Sequence, residues 1–198
     1  MGFYLLKQNT VQQLSYILKY LLSLINEPQQ TWNYLKDGDV DEAKPEYMQN
    51  NYYYPMLGVV ALVIFLLKGW GSPFDIEHAM KAAVSFAAAY FLSTYLANIV
   101  LKQTCSRFMG MTFDDNKLQV FIGYCLSYLM LVDLVSAWFS HFKFLAFCAL
   151  YLIYIIWYAS DEYFGVNEKA IWRFSAIAFF EIWLSPIVIE RLMSAMMK

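Results

Sequence analysis

The stretch LQVFIGYCLSYLMLVDLVSAWF, residues 118–139, decides the fold class of this chain. It holds a single charged side chain, Asp133. A helix of about 20 mainly apolar residues is long enough to cross the hydrocarbon core of a bilayer. The stretch therefore predicts a membrane-spanning helix.

Four more apolar runs lie on either side of it, at residues 54–70, 82–101, 142–159 and 171–189. Their lengths fall close to the roughly 17–25 residues that a spanning helix needs. Tyr52, Tyr53 and Tyr54 around the start of the first run, and Trp70 at its end, resemble the aromatic belt of a membrane interface. The pattern predicts an all-α integral membrane bundle of five transmembrane helices over residues 51–198.

Composition supports this class and argues against several others. The chain is 60% hydrophobic and 15% charged, whereas soluble domains are about 45–50% apolar and 25% charged. A net charge of -2, with no basic stripe, argues against nucleic acid as a partner. The three cysteines have no metal-binding spacing. No combination of nucleophile, base and orienting group is visible, so we expect neither an enzyme nor a cofactor.

Residues 1–50 form a separate, more polar region. Leu14, Leu18 and Leu21 recur at helical spacing among polar residues, which predicts an amphipathic helix. Pro28 ends that helix, and an acidic linker follows over residues 36–46. We expect the helix to lie along the membrane surface or to pack on the bundle, with these three leucines buried.

The distribution of basic residues predicts the orientation. With five spans, the N-terminal side would carry nine of them: Lys7, Lys19, Lys36, Lys44, Lys102, Arg107, Lys117, Lys169 and Arg173. The other side would carry five: Lys68, Lys81, Lys143, Arg191 and Lys198. Because short cytoplasmic loops carry an excess of Lys and Arg, we expect the N-terminus in the cytoplasm and the C-terminus on the opposite side.

The second run carries a stripe of small residues, each four apart: Ser85, Ala89, Ser93 and Ala97. Small residues let helices approach closely in lipid, where packing drives association. The stripe predicts a helix at the centre of the bundle. The alternative is the seam of a homo-oligomer.

Asp133 in the third run and Glu181 in the fifth are acidic residues deep in apolar sequence. A charge at the bilayer centre costs at least about 2.5–3.5 kcal/mol, so both side chains should face the bundle interior. Counted from the predicted helix ends, the two residues lie at similar depth, with no basic residue in the same layer. They would be two protonated carboxyls bonded across helices or, as the alternative, a proton or cation relay.

Two short motifs resemble a known family. Residues 27–32 read EPQQTW, similar to the P-x-x-T-W segment that precedes the membrane domain in the Yip family, and residues 121–127 read FIGYCLS, similar to its G-Y-x-x-S/P pattern. With an N-terminal helix and five spans, the chain resembles these Ypt/Rab-interacting multi-pass membrane proteins, especially bacterial-type members. The resemblance implies this fold and topology, a bacterial inner (cell) membrane location and, from the eukaryotic branch, a non-enzymatic role in membrane traffic or shaping.

Two functions follow as expectations. The first is a non-enzymatic scaffold or adaptor in the lipid bilayer, with a lipid or protein partner at its cytoplasmic face. The second is a small transporter or channel that uses Asp133 and Glu181. Transporters usually show broken helices and several polar groups converging at the midplane. The sequence offers few such groups, so we expect the scaffold.

Overall fold

The computed structural model of the chain describes residues 15–36, 40–70, 75–139 and 143–196, and the side chains of residues 143–146 are not among those described. These residues are 91% helical and contain no strand, which confirms the all-α class.

The helices are numbered here in chain order. Residues 15–26 form α1, followed by α2 (Pro28–Lys36) and a short 3-10 turn (Asp41–Ala43). A continuous helical rod follows, made of α3 (Pro45–Met48), a π turn (Gln49–Tyr53) and α4 (Tyr54–Gly69). Then come α5 (Ile76–Met109) and α6 (Asp115–Trp138). Last are a 3-10 stretch (Lys143–Leu150), α7 (Tyr151–Tyr158), a π turn (Ala159–Tyr163) and α8 (Glu168–Met196).

Among the described residues, three helices are long and apolar enough to cross a membrane. They are Pro45–Gly69, Ile76–Met109 and Asp115–Trp138, with 25, 34 and 24 residues. They cover the first three predicted runs except for Trp70 and Phe139, which follow the helix ends. The chain is therefore compatible with an integral membrane protein.

Local features set both ends of α5 and its junction with α6. The Asp75 carboxylate caps α5 by accepting a hydrogen bond from the backbone N–H of His78 at 3.0 Å. At the other end of α5, Gly110 takes the left-handed conformation, with φ of 65°, which glycine adopts at little cost. Lys102 then pairs with Asp115 at 2.6 Å and ties the end of α5 to the start of α6.

Helix α6 is the most buried of the three long apolar helices, and α5 packs beside it with one face exposed. Helix α5 packs against α4, α6 and α8, and α6 packs against α4, α5, α7 and α8. In α8, Pro186 removes one backbone donor, and the Ser185 hydroxyl donates to the carbonyl of Ile182 at 3.0 Å. The hydroxyl therefore replaces the backbone N–H that Pro186 lacks, and the carbonyl of Ile182 keeps a hydrogen-bond donor.

The N-terminal helix packs on the flank of this bundle. Ile17, Leu21 and Leu24 are buried against it. The expectation that Leu18 would be buried is wrong, since its side chain is 55% exposed, whereas Leu21 is buried as expected. The packed face of α1 is rotated from the one that the leucine spacing suggested, because α1 has apolar residues on two sides. Leu14 lies outside the described residues.

Candidate functional site

The first candidate region is the place where α2 meets the bundle. Trp32 is fully buried there, and its indole Nε1–H donates to the carbonyl of Ile155 at 3.1 Å. Its ring lies 5.3 Å from that of Tyr163, 5.7 Å from Phe121 and 6.2 Å from Tyr124, between centroids. A buried indole with a bonded N–H and three aromatic neighbours is a strong anchor.

Local bonds hold the turn that delivers Trp32. The Thr31 hydroxyl donates to the carbonyl of Glu27 at 3.0 Å, and it lies 2.7 Å from the Ser23 hydroxyl of α1. Pro28 begins α2, where its missing N–H is tolerated. The EPQQTW segment thus joins α1 and α2 and places the indole inward.

The two motifs that carry the family resemblance contact each other. Tyr124 of the second motif lies against Trp32 of the first in an edge-to-face arrangement. One turn of α6 further on, the Ser127 hydroxyl bonds back to the carbonyl of Gly123 at 2.7 Å. A Cβ at Gly123 would overlap the end of the Met48 side chain, so the glycine leaves room for this buried methionine of α3.

A cluster of tyrosines attaches α1 beside this anchor. The Tyr20 hydroxyl donates to Glu42 at 2.8 Å, and its ring lies 6.5 Å from that of Tyr124. Tyr16 packs against Tyr20 and Tyr47. Burial raises the pKa of Tyr20 well above its ordinary 10.0, and the hydrogen bond to Glu42 raises it further. The neutral phenol is therefore the form that fits this cluster.

The second candidate region is a cavity of about 700 Å³ at the end of the bundle where α4, α6 and α8 finish and α5 begins. Five charged or titratable side chains line it: Lys68, His78, Lys81, Asp133 and Glu190. Its size is within the usual range for small-molecule sites, about 300–1,000 Å³.

Asp133 forms part of the wall of this cavity. The Tyr90 hydroxyl donates to its Oδ2 at 2.5 Å, and the Tyr53 hydroxyl donates to the carbonyl of Tyr90 at 2.9 Å. Tyr53 and Tyr90 are buried, but Asp133 keeps an exposed side chain although it lies deep in an apolar helix. The exposed part of the carboxylate is explained by the cavity.

The structure corrects two expectations about Asp133. Basic residues do share its surroundings, because Lys68 and Lys81 line the same cavity. Glu181 is not at its level: Asp133 lies at Tyr90 of α5, whereas Glu181 lies beside Thr104 and Cys105. Fourteen residues of α5 separate these levels, about 21 Å at 1.5 Å per residue.

The depth estimate failed because α8 continues to Met196, seven residues past the predicted end of the fifth run. Glu190, nine residues after Glu181, is the α8 carboxylate near Asp133. Glu181 is half-buried, and its Oε2 has no hydrogen-bond partner within the described part of the chain.

The small-residue stripe lies inside the single chain. Ser85, Ala89, Ser93 and Ala97 are all buried, on the helix that packs against α4, α6 and α8. The Ser93 hydroxyl bonds back to the carbonyl of Ala89 at 2.6 Å, so its polarity is satisfied within the helix.

Sequence reasoning missed the cavity. Lys68, Lys81 and Glu190 each stand near the end of a different helix, where charged residues ordinarily face water. Only the antiparallel order of the helices, which brings these ends together, could have indicated the site.

Within residues 15–36, 40–70, 75–139 and 143–196, no group of three or more His, Cys, Asp or Glu side chains is placed to hold a metal ion. Comparison of the chain with family models, curated proteins and solved structures found no match.

Proposed function

We propose that this chain is a non-enzymatic, five-span scaffold or adaptor of the Yip type, in a bacterial inner (cell) membrane with its N-terminus in the cytoplasm. Residues 15–36 are the part that meets a protein partner or the lipid surface. Two observations support this proposal. One is the motif resemblance, and the other is the fixed position of residues 15–36 on the bundle.

Two further helical segments have lengths suited to spanning. Residues 143–163 are helical throughout, and α8 has 29 residues; about 20 residues are enough to cross. Both carry large apolar side chains on the outside, which is where lipid would lie. These exposed residues are Phe147, Leu150, Tyr154 and Trp157 in the first segment, and Phe180, Leu184, Val188 and Leu192 in α8.

The N-terminal segment supports the scaffold because it is held rigidly yet leaves one side open. Trp32 fixes α2 through the bond to Ile155, and the Tyr151 hydroxyl donates to the carbonyl of Ile25 at 2.7 Å at the end of α1. Leu18 and Leu22 on the opposite side of α1 are 55% and 54% exposed. A fixed helix with an exposed apolar side suits binding to lipid or to another protein.

The transporter alternative has less support. A relay between Asp133 and Glu181 would have to cover about 21 Å of helix. The buried face of α5 carries there the apolar Ala97 and Leu101 and one hydroxyl, that of Ser93, which is bonded back to its own helix. Proton transfer needs groups within hydrogen-bond reach or one water apart.

Photo-crosslinking in native membranes tests the scaffold. A photoreactive residue at Leu22, on the open side of α1, should give a discrete protein or lipid adduct that Trp32→Ala abolishes. The same probe at Trp70, an 85% exposed residue beyond the end of α4, is the matched control and should not give that adduct. No adduct from Leu22, or one that persists in Trp32→Ala, would contradict the proposal.

Proton flux tests the alternative. Reconstituted wild-type protein should show no pH-driven proton flux into liposomes. Flux in the wild type that is lost in both Asp133→Asn and Glu181→Gln would overturn the scaffold in favour of transport.

A further inference from the structure

The outer face of α8 begins with two cations, Lys169 and Arg173, which lie exposed in the first two turns of the helix. Residues four apart on a helix share a face, with about 5–6 Å between their Cβ atoms. Neither side chain forms an ion pair or a hydrogen bond with any residue that the structure describes. The adjacent carboxylate, that of Glu168, lies about 100° away from Lys169 around the helix. The face therefore carries two positive charges without a counter-charge from the described part of the chain.

The same face becomes apolar further along α8, where Phe180, Leu184 and Ile187 are exposed. At 100° per residue, these three and the two cations fall within about 60° of one another around the helix. The apolar side chains lie about 10–21 Å beyond Arg173 along the helix axis. A phospholipid beside α8 would have its groups in the same order, with a head group at the membrane surface and acyl chains below it.

A pair of tryptophans borders the cations on the side of α7. The rings of Trp157 in α7 and Trp172 in α8 lie 6.2 Å apart between centroids, and both are exposed. Trp172 is about 60° from Lys169 around α8. Neither indole N–H has an acceptor within the described residues, so both can donate to an oxygen of a bound molecule. Tryptophans with an apolar body and a free N–H are typical of the level of the lipid head groups.

The charges favour an anionic lipid over a second copy of the chain as the occupant of this face. A second copy related by a two-fold axis through the face would bring the same two cations towards their own counterparts, which repel each other. Basic residues beside a spanning helix attract the anionic head groups of the cytoplasmic leaflet. Lysine and arginine both bind phosphate oxygens through charge-assisted hydrogen bonds.

We propose that the outer face of α8, together with Trp157, binds one anionic phospholipid. Its phosphate contacts Lys169 and Arg173, the indole N–H groups donate to its head-group and ester oxygens, and an acyl chain lies along Phe180 and Leu184. The lipid site rests on the proposed function in one respect, because α8 has to cross the membrane with its first turn at the cytoplasmic surface. The partner surface on α1 takes no part in it.

Native mass spectrometry of the full-length protein in detergent provides the test. The protein is titrated with phosphatidylglycerol, phosphatidylethanolamine and phosphatidylcholine of identical acyl chains. Phosphatidylglycerol should bind at least about fivefold more tightly than the other two, which is the gain expected from one cation near an anionic head group. The preference should shrink as the salt concentration rises. Equal affinity for the three lipids would overturn the lipid site.

Matched variants distinguish this face from a general effect of positive charge. Lys169→Gln and Arg173→Gln should each reduce the preference for phosphatidylglycerol, and the double variant should lose it; both residues are exposed, so the fold should be kept. Arg107→Gln removes an exposed cation at the end of α5 and should leave the preference unchanged. A loss as large in Arg107→Gln as in Arg173→Gln would overturn the site in favour of unspecific attraction.

The same spectra and one labelling experiment separate the remaining outcomes. If Arg173→Gln changes the fraction of dimer and not the lipid preference, the occupant is a second copy and the lipid site is wrong. Binding in detergent does not depend on which way the chain is inserted, whereas cysteine labelling near both ends of the chain in cells reports the topology. Equal lipid affinities with the expected topology would overturn the lipid site alone. An intact preference, lost in the double variant, with both ends on one side would support the site and overturn the five-span topology.

Discussion

The indole N–H of Trp32 donates a hydrogen bond to the backbone carbonyl of Ile155, 3.1 Å away and 123 residues further along the chain. This bond joins the N-terminal segment to α7. It lies beside the contact between Trp32 and Tyr124, so the two motifs that resemble the Yip family meet in one aromatic cluster.

Removal of the Trp32 ring should detach the N-terminal segment. Trp32→Ala should cost about 3–5 kcal/mol of stability, as for other large-to-small core changes. Trp32→Phe should cost less, because it keeps most of the ring contacts and loses the hydrogen bond. Hydrogen exchange over residues 15–36 measures the detachment. Trp70→Ala removes an 85% exposed indole and is the control; equal exchange in Trp32→Ala and Trp70→Ala would show that Trp32 is not the anchor.

Gly123→Ala should be destabilising, because the added Cβ has to displace the end of the buried Met48 side chain. Overpacking of this kind costs about 1–3 kcal/mol. Adding Met48→Ala to Gly123→Ala should recover much of this lost stability. Thermal unfolding of the wild type, the two single variants and the double variant would measure the recovery. Gly58→Ala, where no atom lies within 4 Å of the added Cβ, should be neutral or slightly stabilising. An unchanged melting temperature in Gly123→Ala would refute the close approach.

The small-residue stripe distinguishes packing within the chain from a homo-oligomer seam. Ala97 is 1% exposed, so Ala97→Leu should destabilise the single chain by about 1–3 kcal/mol. Val100→Leu, on the 37% exposed side of the same helix, should have little effect. Unfolding in detergent and the oligomer distribution are measured together. A change in oligomeric state with normal stability would favour the seam.

Alkaline pH should loosen α1. Burial and the bond to Glu42 raise the pKa of Tyr20 above the ordinary 10.0, so its contribution is complete below pH 10 and is lost progressively as the pH rises above that value. Protection of residues 15–26 in hydrogen exchange, corrected for the intrinsic rate, should fall above about pH 10. Tyr20→Phe should make this loss smaller. Protection that depends on pH in the same way in both proteins would exclude Tyr20 as the cause.

The sequence predicted the helical class and the three helices that are long and apolar enough to cross a membrane, because a long apolar run has few other stable solutions. It placed the ends poorly. Helix α5 extends from Ile76 to Met109, well beyond the apolar run 82–101, because capping by Asp75 and Gly110 lies outside that run. The rod of the first span begins at Pro45 rather than at residue 54, because the polar residues 49–51 continue the helix as a π turn.

The candidate sites could not be predicted from any single apolar run, because their residues come from several helices. Asp133 stood out as a charge in apolar sequence, and the structure does place it in a polar cavity. Its neighbours Lys68, Lys81 and Glu190 come from three other helices, so no local pattern connects them. The face of α1 was also ambiguous, because Leu18 and Leu21 both fit a helical stripe and only contact with the bundle distinguishes them.

The most direct test of the central claim, a five-span bundle with a cytoplasmic N-terminal segment, is cysteine accessibility in intact cells. The native Cys105, Cys125 and Cys148 are replaced, and single cysteines are introduced at the exposed positions Asn33, Thr112 and Ala195. The account predicts that a membrane-impermeant maleimide labels the Ala195→Cys protein from outside, whereas the Asn33→Cys and Thr112→Cys proteins react only after the membrane is opened. Labelling of positions 33 and 195 from the same side would contradict it.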